Sequence, residues 1–194
     1  MKIVTQPQYG PMFCFTDASV YWTLHLISDG KRMGRARLSE EVGIGEGSMR
    51  KIISTLKEWD LVSVKQTGIT ITKSGLNFLS QIPIKVVDVS LGDSVLGMHS
   101  QGILALGVAE KVNNGLEQRD VGIKYGAMGC TTIVIRDGVL MIPPDWNIDD
   151  RNPELAYEIR KNAGITQSDV LIVGSADDKH LAIEAAINAA LELI

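Results

Sequence analysis

The chain has 194 residues, 45% hydrophobic and 22% charged, with a formal net charge of −4, a composition that fits a globular fold of one large or two small domains. No apolar run reaches the ~20 residues that span a bilayer, and "MKIVTQPQYGPMFCF" has neither the apolar core nor the cleavage pattern of a signal peptide. Two distant cysteines, Cys14 and Cys130, with no CxxC and no Cys/His cluster, fit a cytoplasmic location and argue against a structural metal site.

Residues 1 to 16, with Pro7, Gly10 and Pro11, read as an extended arm. A first helix is expected from Thr16 or Asp17, either of which can cap it, to Gly30, with Val20, Leu24 and Ile27 on its buried face. "KRMGRARLS" then sets Lys31, Arg32, Arg35 and Arg37 within seven positions. Ser39 reads as the cap of a second helix, placing Glu40 and Glu41 in the first turn, where carboxylates suit the helix dipole. "GIGEG" is a turn, and a third helix is expected from about Gly47 to Trp59.

Met49, Ile52, Ile53, Leu56 and Trp59 fall on one face of that third helix. At about 100° per residue the opposite face presents Gly47, Lys51 and Ser54, flanked by Ser48, Arg50 and Thr55. "LVSVKQTGITIT" alternates Val62, Val64, Ile69 and Ile71 around a polar tip, which predicts a β-hairpin. "KSGLNFLSQI" closes the segment as a helix or turn. Helix, helix, turn, helix, hairpin is the order of a winged helix-turn-helix.

Beyond residue 82 the pattern changes. "IKVVDVS" and "ILALGVAE" read as strands, the second preceded by the glycine-rich "GDSVLGMHSQG", and "GLEQRDVGIKYGA" as a short helix with Leu116, Val121, Ile123 and Ala127 as its apolar positions. In "TTIVIRDGVLMIPP", Asp137-Gly138 between two apolar runs marks a hairpin that Pro143 and Pro144 stop. "NPELAYEIRKNAG" is a helix ending at Gly164. "DVLIVGSADDKHLAIEAAINAALELI" is a buried strand, a turn and an alanine-rich helix. The fold class is therefore α/β in this half and α+β overall: a winged helix-turn-helix over residues 1–82, then a mixed-sheet α/β domain over 83–194. Charge divides at the same place. Lys+Arg 10 against Asp+Glu 7 gives +3 up to Ile82, and 9 against 16 gives −7 after it, together the −4 of the chain. Polyanion binding needs positive potential only at the contact face.

The DNA-binding candidates are Arg35, Arg37, Gly47, Ser48, Arg50, Lys51, Ser54, Thr55, Lys65 and Thr67. Arg50 is placed to read a guanine edge, Lys51 and Ser54 sit nearer phosphates, and Arg35, Arg37 and Lys65 would hold backbone. The bland alternative, a solvated helix face, fits any single cationic pair better than cations converging from separate segments. For a small-molecule effector the candidates are Gly174 and Ser175, ahead of a helix opening near Asp177, and Arg119, which could hold a carboxylate or phosphate. Asp177 and Asp178 can instead cap that helix, and Arg119 beside Asp120 is equally a surface charge. His25, His99 and His180 share no metal-like spacing, and no nucleophile has a base at motif spacing. Accordingly, no catalytic residue, metal or cofactor is expected, and no enzyme. The alanine run "AIEAAINAAL" reads as packing against its own sheet. A homodimer is expected because one winged helix covers only a short stretch of duplex.

"EEVGIGEGSMRKIISTLKEWDLVSVKQTGITITKSG" resembles the winged-helix half of a group of archaeal transcriptional regulators whose C-terminal half is a domain of unknown function. "LEQRDVGIKYGAMGCTTIVIRDGVLMIPPD" is similar to the centre of that second domain, and the likeness covers most of residues 18 to 194. It implies a DNA-binding head and an uncharacterised tail, and supplies neither ligand nor catalytic residue. The sequence reading is thus a regulator that binds double-stranded DNA and whose C-terminal half senses an effector or pairs subunits. The alternative is a small-molecule-binding or enzymatic α/β domain with the winged helix as a protein-docking module; a protein–protein adaptor is a third.

Overall fold

The computed structural model describes residues 1–4, 13–89, 91, 92 and 96–194. The expected arm around Pro7, Gly10 and Pro11, and part of the "GDSVLGMHSQG" loop, lie outside them. The chain divides into two compact units, Lys2–Ile82 and Pro83–Ile194 with Met1.

In the first unit α1 (Asp17–Leu26) starts at Thr16, whose hydroxyl accepts from Ser19 N while Ser19 answers to the Thr16 backbone, a reciprocal capping box. The helix ends four residues before Gly30. α2 (Arg35–Val42) begins earlier than expected, at Gly34, which caps it without a side chain. Ser39 is therefore a correction: it is buried inside the helix and its hydroxyl donates to Ile44 O at 2.5 Å. Glu40 and Glu41 consequently fall in the last turn rather than the first. Gly43 at φ 76 ends the helix, and α3 (Glu46–Glu58) follows. Met49, Ile52, Ile53 and Leu56 are buried as the spacing requires, but Trp59 is 42% exposed. Trp59 is the helix's C-terminal cap, and the left-handed Asp60 behind it (φ 57) turns the chain away before the indole can join the core.

β1 (Val62–Lys65) and β2 (Gly68–Ile71) form an antiparallel hairpin with Val64 opposite Ile69 and Lys65 opposite Gly68. Met33 exchanges both backbone hydrogen bonds with Ile69, a bridging position that the sequence does not announce. α4 (Lys73–Gln81) is capped by Thr72 through Gly75 N at 2.9 Å. Leu24, Ile27, Leu38, Met49, Ile52, Leu56, Val62 and Ile69 close one core beneath these elements. The order in this unit is three helices, a two-stranded hairpin and a fourth helix.

The second unit is built on one six-stranded sheet: β3 (Ile84–Val87), β4 (His99–Ala105), β5 (Gly129–Arg136), β6 (Val139–Ile142), β7 (Trp146–Asn147) and β8 (Val170–Ala176), in the order β3-β4-β8-β5-β6-β7. Every pairing is antiparallel, so the expected mixed sheet is corrected to an antiparallel one within an α+β fold. The reason is topological. β4 and β5 run the same way and are joined through α5 (Leu116–Lys124), as in a parallel crossover, but β8 inserts between them and pairs antiparallel with both.

β8 is buried on both faces. Its alternate residues Leu171 and Val173 join a core with Ile133, Leu140, Ile148 of α6 (Ile148–Arg151) and Ile159 of α7 (Pro153–Ala163). Gly174, on the opposite face of the strand, meets α8 (Lys179–Leu193), where a Cβ would lie 2.9 Å from Ala186 N and against Ala182 O. The alanine run thus serves close helix–sheet approach. The β5–β6 turn is Asp137-Gly138, both at positive φ (52 and 81), as the hairpin signal demands. Bidentate bonds from Arg160 to Asp149, at 2.5 and 2.8 Å, fix that turn to α6 and α7, since Asp149 also accepts from Leu140 N and Arg160 donates to Gly138 O. α5 turns Gln118 and Gly122 inward, Gly122 lying tightly against Cys130, while Leu116 and Ile123 face outward. Of the four expected apolar positions only Ala127 is buried, and it lies beyond the end of the helix.

Candidate nucleic-acid interface

The four buried side chains of α3 lock its orientation, and the same 3.6-residue period sends Gly47, Arg50, Lys51 and Ser54 to solvent, with Ser48 and Thr55 half-buried beside them. Gly45 caps the helix without a side chain, and its first turn holds Glu46, which pairs with Arg35, followed by the small residues Gly47 and Ser48. A helix end of that kind can approach a phosphate or a groove wall closely. Arg50 is engaged in no ion pair or hydrogen bond among the described residues. Ser54 is engaged: its hydroxyl donates to Glu58 Oε1 at 3.2 Å. Lys51 Nζ stands 5.5 Å from the Phe13 ring centroid, and Ser48 Oγ donates to Cys14 O at 3.4 Å. The chain just before α1 therefore runs beside the outer face of α3. The sequence hint was the alternation of Phe13 and Phe15, whose rings stack at 4.9 Å.

The hairpin supplies the second contact element. Lys65 is exposed at its tip, followed by the Gln66-Thr67 turn. Thr67 Oγ1 accepts from Arg32 Nη1 at 2.6 Å. Gly68, at φ 124, leaves the room this needs, because a Cβ there would lie 2.8 Å from Arg32 Cγ. Arg32 thus braces the tip of the hairpin, a role that its place among the cations of "KRMGRARLS" does not reveal. Three residues on, Arg35 Nη2 reaches Glu46 Oε2 at 3.4 Å, and Arg37 pairs with Glu41 at 3.8 Å. Residues 32–37 therefore tie the tip of the wing to the start of α3. Both ion pairs are exposed, worth about 0–1 kcal/mol each, so exchanging a carboxylate for a DNA phosphate costs little.

The effector candidates come out differently. Arg119 is exposed on α5, whereas Gly174 and Ser175 are buried inside β8. The expected loop at these two residues is corrected: the strand continues to Ala176. Asp178 then caps α8, accepting from His180 N at 2.7 Å, so the helix-end amides already hold a carboxylate. Those bonds hold the Asp178 carboxyl below its ordinary range. Burial pushes the Cys130 thiol up to about 12, which leaves it unreactive at neutral pH. Burial beside Trp22 lowers His25 below its ordinary value, with Asp29 opposing. No group of three or more His, Cys, Asp or Glu among the described residues could hold a metal ion, and no helix there is long and apolar enough to cross a membrane.

Comparison with known proteins agrees with this division. Residues 96–193 match the family model "Domain of unknown function (DUF4443)", and residues 18–85 match the "CggR N-terminal DNA binding domain". No curated protein matches the chain. Among solved structures, a hypothetical protein from Pyrococcus horikoshii OT3 superimposes with a TM-score of 0.74 at 22% identity, over 92% of this chain and 92% of that one. That likeness establishes a shared fold. The N-terminal match makes the first unit a DNA-binding domain of a regulator type.

Proposed function

The chain belongs to the DUF4443 family, and from that premise we propose that it is a transcriptional regulator that binds double-stranded DNA as a homodimer and carries an effector-sensing C-terminal half. The exposed outer face of α3 carries the reading: Arg50 makes no ion pair or hydrogen bond among the described residues, on a helix whose other side is locked into the core. α3 enters the major groove, Arg50 reads a base edge, Lys51 and the helix start hold phosphates, and Lys65 at the braced wing tip grips the backbone. The Pyrococcus likeness and the resemblance of the two quoted stretches fit an archaeal setting. Dimerisation sets the spacing of two heads, and an effector shifts the balance between a spacing that fits the operator and one that does not.

Hydroxyl-radical footprinting on DNA from upstream of the protein's own gene tests this. Two protected half-sites, one helical turn or a multiple apart, are the expected result. A single protected segment contradicts the dimer, and no protection contradicts the DNA-binding reading.

A further inference from the structure

The geometry points to the recess between the β6–β7 loop and the α6–α7 helices as a binding site for a small amphipathic acid, an apolar body ending in a carboxylate. This deepens the proposed sensing role and rests on it. The recess measures about 720 Å³, within the range of small-molecule sites and far larger than the voids a packed domain leaves. Its floor is apolar and fully buried, from Ile133 and Ile148, and its walls include Ile142 and Leu155. These groups come from the sheet and from two helices that the Asp149–Arg160 clamp holds together, so the cavity is formed before any ligand arrives.

The rim supplies the other half of the chemistry. Trp146 is 50% exposed, and the Arg151 guanidinium lies over its ring at 4.3 Å. A guanidinium held against an indole keeps the five N–H donors that can take a carboxylate by two parallel hydrogen bonds. Among the described residues Arg151 joins no carboxylate in an ion pair, although Asp145 also lines the recess. An indole held half in solvent, with a cation against its ring that joins no ion pair among the described residues, and an apolar floor in the same recess suit a ligand that is greasy at one end and anionic at the other. A neutral apolar molecule would use the floor alone. A sugar or nucleotide would leave its hydroxyls against Ile133, Ile148 and Leu155, which the desolvation cost disfavours.

The full-length chain is titrated with 1-anilinonaphthalene-8-sulfonate, and the bound dye is then displaced with decanoate or with decan-1-ol. Decanoate is expected to displace the dye. Arg151→Gln is expected to weaken decanoate by about tenfold or more while leaving decan-1-ol unchanged. Leu155→Trp, which fills the cavity, is expected to weaken both. Unchanged thermal unfolding of Arg151→Gln keeps the comparison interpretable, because that side chain is on the surface. No displacement by decanoate, or equal loss of acid and alcohol in Arg151→Gln, overturns the site. DNA affinity measured with and without decanoate separates the two claims. Binding at the recess with no change in DNA affinity retains the site and removes the sensing role.

Discussion

Arg50 and Lys65 differ in what they offer DNA, although both are exposed cations. Arg50 projects from a helix fixed on its other side by Met49, Ile53 and Leu56, so its backbone position is defined, and in the proposed function its fork reads a base edge. Arg50→Ala is expected to cost about 1–3 kcal/mol on the specific site and to relax sequence preference there, read by competition among single-base operator variants. Unchanged preference would take Arg50 out of the reading set. Lys65 is the last residue of β1, beside the two-residue turn, and provides a point charge. Lys65→Ala should weaken every duplex alike and lower the slope of log affinity against log salt by about one unit. Gly174 makes the opposite kind of claim. It was a candidate for ligand contact because it follows an apolar run, yet α8 presses on it. Gly174→Ala is expected to destabilise the chain by about 1–3 kcal/mol through overpacking, seen as a lower urea midpoint. A neutral effect would mean that α8 packs less closely than the contact with Ala186 requires.

Elements were legible where a local signal matched a local cause. The buried face of α3, the Asp137-Gly138 turn, the stop of α7 at Gly164 and the Thr16 start of α1 each follow from a few adjacent residues. The start of α2 was misread because Ser39 is a good cap by type, while Gly34 caps through backbone alone. The brace of Arg32 on Thr67, the bridge of Met33 to Ile69 and the two-residue strand β7 are non-local, and no periodicity encodes them. The same holds for the clamp of Asp149 and Arg160, which joins the β5–β6 turn to two helices. Arg160 beside it, with burial opposing and the Leu140 amide helping, holds the Asp149 carboxyl below its ordinary range. A folded value below the unfolded one, near 4, means the clamp stabilises at neutral pH, and that contribution fades as pH falls through the folded value. Both side chains are about a third exposed, so solvent screening keeps the contribution to about 1 kcal/mol. Asp149→Asn should therefore lower stability at pH 7, and the gap to the parent chain should narrow at pH 3. A gap independent of pH would show that the clamp acts through shape and neutral hydrogen bonds.

On the scale of the whole molecule the charge division, +3 before Pro83 and −7 after it, falls where the chain divides into its two units. The sequence pattern could place that division because it needs only composition. It could not supply the order of the sheet, since the insertion of β8 between β4 and β5 joins segments more than thirty residues apart in the chain. The basic unit carries the DNA-binding match and the acidic unit the family of unknown function, so the account's central claim concerns the first. It is tested most directly by fluorescence anisotropy of the full-length chain with labelled DNA from upstream of its own gene, against scrambled duplex, at several salt concentrations. The account predicts tighter binding to the upstream duplex and a steep linear fall of log affinity with log salt, as released counterions require. Equal or absent binding to the two duplexes, with no salt dependence, would contradict it and leave the winged unit as a protein-docking module.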